Sequence, residues 1–67
     1  MKLNEYRIKN NYTFSKLADE LGFSEHSNPA RLVQRWCQGS FIPSSNNIKK
    51  ITEATKGKVK ANDFFQD

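Results

Sequence analysis

The sequence predicts an all-α fold of four to five short helices, with a short C-terminal strand as the one β alternative. Apolar residues recur at helical spacing in three runs, after Thr13, after Pro29 and after Ser44. Each run is preceded by residues that cap helices, and each closes on one of the three glycines, Gly22, Gly39 and Gly57.

Taken in order, the first helix is expected from about Asn4 to Asn10, with Asn4 as its cap. Leu3, Tyr6 and Ile8 make no clean stripe there. The second follows the Thr13 cap: Phe14, Leu17, Ala18 and Leu21 fall at i, i+3, i+4 and i+7, and Gly22 stops it. The third is "PARLVQRWCQG", with Ser27 or Asn28 as cap and proline in the first turn. At about 100° per residue, Leu32, Val33 and Trp36 share one face, with Cys37 at its edge. The opposite face carries Arg31, Gln34, Arg35 and Gln38. The fourth helix is capped by Ser44 or Ser45, aligns Ile48, Ile51 and Thr55, and ends at Gly57. Beyond it, Val59, Phe64 and Phe65 are too apolar for a free tail; Lys58 to Lys60 suits a short strand and "AND" a turn.

The 67 residues bound the chain to one domain, with a core over 13–57 and a packing or dimerisation segment at 58–67. A domain of this size buries only about 60% of its unfolded surface, so its core is thin. The lone cysteine, Cys37, cannot form an internal disulfide, which suits a reducing cytoplasm. "MKLNEYRIKNN" lacks the apolar core of a signal peptide, and no run is long enough to span a bilayer, so the expectation is cytoplasmic with no membrane partner.

The net charge is +4, unevenly placed. Up to Asn28, Lys2, Arg7, Lys9 and Lys16 cancel Glu5, Asp19, Glu20 and Glu25. From Pro29 to Lys60, Arg31, Arg35, Lys49, Lys50, Lys56, Lys58 and Lys60 face Glu53 alone. A basic half on so small a domain points to a polyanion partner; the bland reading is a solvated lysine-rich surface.

A helix-turn-helix needs a small residue where its two helices cross, a glycine at the turn, and apolar anchors beneath the second helix. "LADELGF" supplies Ala18 and Gly22. In the compact motif the anchors come about ten and thirteen residues after the alanine. Those places hold Asn28 and Arg31, whereas Val33 and Trp36 stand five residues further on, correctly spaced. The turn "FSEHSN" is therefore read as lengthened by that amount, which loop-closure entropy tolerates at some tenths of a kcal/mol.

Over about residues 13 to 65, the pieces "TFSKLADELG", "LVQRWCQG", "IPSSNNIKKI" and "EATKGKVKANDFF" resemble the small Cro-like regulators of the phage Cro and repressor superfamily, close to the YdaS-type group. The resemblance implies a short helical DNA-binding domain, often dimeric, that represses promoters on phage or prophage DNA. Phe14 stands where family members often have a glutamine that touches phosphate.

In that reading the third helix lies in the major groove of double-stranded DNA. Arg31 and Arg35 are the candidates for guanine, Gln34 for adenine, and Asn28 for a base edge at the helix start. Backbone contacts are expected from Thr13, Phe14, Lys16, Ser27, Gln38, Ser40, Ser44, Ser45, Asn46 and Lys49. The competing readings are solvated arginines and serines that only cap helices. Trp36 is expected in the core, Cys37 as a small part-buried hydrophobe, and His26 as a loop residue. No catalytic residues, metal ligands or cofactor are expected, since no nucleophile–base pair, ligand cluster or phosphate loop stands out. A homodimer on a palindromic operator is expected, joined through Val59 to Phe65. The alternative function is a protein-interaction module, antirepressor or antitoxin-like, docking through exposed Phe64 and Phe65.

Overall fold

The computed structural model describes residues 1–65. Gln66 and Asp67, the end of the expected dimerisation segment, lie outside the described residues. Five helices follow in order: α1 (Leu3–Lys9), α2 (Phe14–Glu20), α3 (Pro29–Gln38), α4 (Ser45–Ala54) and α5 (Asn62–Phe65). The described residues contain no strand.

Local chemistry sets the boundaries. The hydroxyl of Thr13 accepts the Lys16 N–H at 3.0 Å, and that of Ser44 accepts the Asn47 N–H at 3.4 Å. Of the two candidates before α3, Asn28 is the cap, its Oδ1 accepting the Arg31 N–H at 3.4 Å. The first helix departs from expectation. It begins at Leu3, because the Glu5 carboxylate reaches back to accept the Lys2 N–H at 3.2 Å. Asn4 lies inside the helix, and its Oδ1 accepts from Arg7 Nε at 3.0 Å.

Helices α1 to α4 close with the same backbone pattern. A residue just beyond each helix donates its N–H to a carbonyl five positions back: Tyr12 to Arg7, Phe23 to Ala18, Ser40 to Arg35 and Gly57 to Thr52. The residue before each donor has φ between 56° and 87°. Glycine fills that place twice, at Gly22 and Gly39. After α4 it is Lys56, so the left-handed turn begins one residue before the expected stop at Gly57.

The expected strand at Lys58 to Lys60 is a turn. Its backbone donors are used locally: Lys58 N–H on the Thr55 carbonyl, Val59 N–H on Thr55 Oγ1 at 3.1 Å, and Lys60 N–H on the Asp63 carboxylate at 2.8 Å. These leave no ladder donors for a sheet. The same bonds wrap the chain under α4, burying Val59 completely and delivering α5.

The core is formed by Leu3, Leu17, Ala18, Leu21, Phe23, Val33, Trp36, Ile51 and Val59. Helix α2 packs chiefly on α3. Ala18, with no side chain beyond Cβ, is fully buried there, and Val33 and Trp36 are buried on the inner face of α3. Phe23 belongs to this core rather than to a solvated turn: it is 1% exposed and meets Trp36 edge-on, with centroids 5.1 Å apart. Burying such a ring contributes about 2–3 kcal/mol, so the connection between α2 and α3 is anchored in its first residues. Thr55, whose hydroxyl is buried, donates to the Ile51 carbonyl at 2.9 Å while accepting from Val59.

Candidate nucleic-acid interface

The two faces of α3 set up the site. With Val33 and Trp36 turned inward, helical spacing sends Arg31, Gln34, Arg35 and Gln38 outward. Arg31, Arg35 and Gln38 are exposed and Gln34 is half-buried. A shallow depression is lined by Asn28, Arg31, Gln34, Arg35, Gln38 and Ser40, together with Ala30 and Phe41. All four residues expected to read bases therefore meet in one place, with two of the expected backbone contacts. Among the described residues, neither Arg31 nor Arg35 has a carboxylate partner or a side-chain acceptor. Asn28 is less free, because its carbonyl oxygen caps α3.

The other expected contacts fall into three groups. Thr13 and Lys16 line a second depression with Ser15, Asp19, Ser24 and Pro29, beside the start of α3. Lys16 also pairs with Glu20 at 3.5 Å, an exposed i,i+4 pair of little energetic weight. Ser27 lines a third depression with His26, Asn28, Arg31, Leu32 and Arg35. Ser44, Ser45, Asn46 and Lys49 are exposed at the start of α4 and line none of these depressions. Phe14 differs from the rest. Its ring packs against the core and lies beneath the Arg7 guanidinium, 4.3 Å from the centroid, so only its backbone amide remains as a contact.

Lysines 49 and 50 separate sharply. Lys50 Nζ donates to the Gly22 carbonyl at 2.8 Å and lies 4.7 Å from the Phe23 centroid. It ties α4 to the end of α2. A methyl at Gly22 would come within 3.2 Å of the Lys50 side chain, at a φ of 87° that already favours glycine.

The depression also holds a residue that the helical wheel could not place. Phe41 is 55% exposed, and the Arg35 guanidinium lies 4.9 Å from its centroid. It stands beyond the end of α3, six residues from Arg35, outside any helical spacing. The signal available was an aromatic directly after a glycine–serine turn.

Cys37 is half-buried, and burial pushes its thiol up to about 11, with Arg7 acting weakly in the opposite sense. It is a protonated thiol at neutral pH. His26 sits against the Phe23 ring with centroids 5.6 Å apart. Among the described residues, no group of three or more His, Cys, Asp or Glu is placed to hold a metal ion. No helix among them is long and apolar enough to cross a membrane.

Comparison with protein-family models, with curated proteins and with solved structures finds no match to this chain.

Proposed function

We propose that the protein is a sequence-specific double-stranded DNA-binding transcriptional regulator, a Cro-like repressor of phage or prophage operators. In this reading α2 and α3 form a helix-turn-helix whose connecting segment is the long loop through Phe23, and α3 is the recognition helix. The observation that carries it is the outward row of Arg31, Gln34 and Arg35 on a helix whose inner face is anchored by Val33 and Trp36. Two guanidinium groups without protein acceptors among the described residues match guanine O6 and N7 in the major groove, and the Gln34 amide matches adenine N6 and N7. Lys49 and the capped start of α4 supply backbone contacts, as do Ser40 in the same depression and Lys16 in the depression that includes Pro29. The chemistry is binding alone: no residue is assigned a catalytic role, and no cofactor is needed.

The protein acts as a cytoplasmic homodimer on a palindromic operator. Val59 is fully buried within its own chain, so it cannot supply an intersubunit strand. Phe65, 62% exposed, is the large apolar side chain that the C-terminal segment offers to a twofold partner. The second reading, a protein-interaction module, draws on the same side chain. It is weakened by Phe64, which packs against the core instead of standing free.

Selection of bound duplexes from a random DNA pool at near-physiological salt tests the proposal. An enriched palindrome with half-sites about one helical turn apart supports a dimeric reader. An enriched single half-site keeps the DNA reading and removes the dimer. No enrichment refutes sequence-specific recognition.

A further inference from the structure

We infer that Phe41 is a positioning residue for Arg35 and thereby a determinant of base specificity. The inference rests on the DNA-reading proposal and deepens it.

The turn that ends α3 places Phe41 where it stands. Gly39 takes φ 79°, which reverses the chain, and the Ser40 N–H donates to the Arg35 carbonyl at 3.0 Å. Residue 40 is thus tied to the last turn of α3 at the very residue whose side chain must be held. The next residue then brings its ring under the Arg35 guanidinium, 4.9 Å away. An arginine is long and flexible, and on an exposed helix face it samples many rotamers. A ring beneath its plane narrows that set while leaving all five N–H donors free, since the contact uses the π-face and not a hydrogen bond.

The position of Phe41 is otherwise unfavourable. It is more than half exposed, beside Ile42, which is also exposed, and it contributes nothing to the central core cluster. Its ring also borders a separate depression with Leu3, Trp36, Cys37 and Phe64. On its other side it lines the same depression as Asn28, Arg31, Gln34 and Arg35. Arg35 therefore meets a base pair already restrained, and its selectivity depends on the ring.

The test uses the full chain, a duplex obtained by pool selection, and the set of its single-base-pair variants. Phe41→Leu removes the π-face and keeps apolar bulk; Phe41→Trp restores a π-face. Phe41→Leu is expected to reduce discrimination at one base pair by about 2- to 30-fold, with an unchanged melting temperature, and Phe41→Trp to retain it. Added to Arg35→Ala, Phe41→Leu is expected to do nothing further, because it acts through Arg35. Retained discrimination in Phe41→Leu would overturn the inference. So would an equal loss on every sequence, or a loss that persists in the Arg35→Ala background. Those outcomes leave the DNA reading standing. A wild-type chain that selects no sequence at all removes the DNA reading and the inference with it.

Discussion

Arg7 and Arg35 each lie over a phenylalanine ring, 4.3 Å from the Phe14 centroid and 4.9 Å from that of Phe41. The stacking is alike and the surroundings are not. Arg7 is half-buried; its Nε donates to Asn4 Oδ1 at 3.0 Å and its Nη1 to the Tyr12 carbonyl at 3.1 Å. The first bond lies within α1, and the second fastens α1 to the segment that leads into α2. Arg35 is exposed and finds no acceptor among the described residues. One guanidinium completes the fold, and the other presents its donors outward. The same division separates Lys50, held by the Gly22 carbonyl, from its neighbour Lys49. It also separates the inner face of α3 from the outer. A positive charge is therefore informative about a partner only after its intramolecular acceptors are known.

Substitution separates the residues that hold the fold from those that face outward, and the largest effect belongs to the inner face of α3. Trp36→Ala removes the ring that packs on Phe23 and is expected to cost about 3–5 kcal/mol in urea unfolding, a large part of the stability of so small a domain. Next come the two arginines. Arg7→Ala is expected to cost about 1–3 kcal/mol of stability, through the lost charged hydrogen bonds, with base preference unchanged. Arg35→Ala is expected to keep stability within about 0.5 kcal/mol while costing about 1–3 kcal/mol of binding to the selected site. If both variants lose stability equally, the contrast between them is wrong.

The lysine pair gives a smaller effect of the same form. Lys50→Ala should lower stability by about 0.5–1.5 kcal/mol. Lys49→Ala should leave stability alone, weaken binding to all sequences alike, and reduce the salt slope by about one. The smallest effect concerns Asp63. The Lys60 N–H, opposed by partial burial and assisted by the N-terminal amine 3.1 Å away, holds its carboxyl below the usual range. A lowered folded pKa stabilises the fold above the ordinary value of about 4 and stops doing so as pH falls through the folded one. Asp63→Asn should therefore lower the melting temperature slightly at pH 7, and the two proteins should converge on acidification.

Much of the frame was legible because it rests on local chemistry. Thr13, Asn28 and Ser44 cap their helices and Gly22 and Gly39 reverse the chain, all at places where side-chain oxygens or a missing Cβ decide the geometry. The two faces of α3 followed from periodicity. What escaped was non-local or aperiodic. Phe23 is a single apolar residue in a polar stretch, so no period marks it as core. The alternation of Lys58, Val59 and Lys60 looked like a strand, but Thr55 and Asp63 take the donors that a strand would need. Glu5 starts α1 from within, on a lysine that no capping preference would single out. Phe41 meets Arg35 only because a turn folds back on the helix before it. The candidate site was thus visible along the helix and invisible where a loop completes it.

The outer face of α3 is the proposed reader of DNA sequence. The most direct measurement is a side-by-side pool selection with the wild-type chain and the Arg31→Ala, Arg35→Ala double variant, at one fixed salt concentration. The account predicts that the wild type enriches a defined site, while the double variant still retains bulk DNA but enriches none, since Lys49 and its neighbours remain. The same site enriched by both proteins, or none enriched by either, would contradict it.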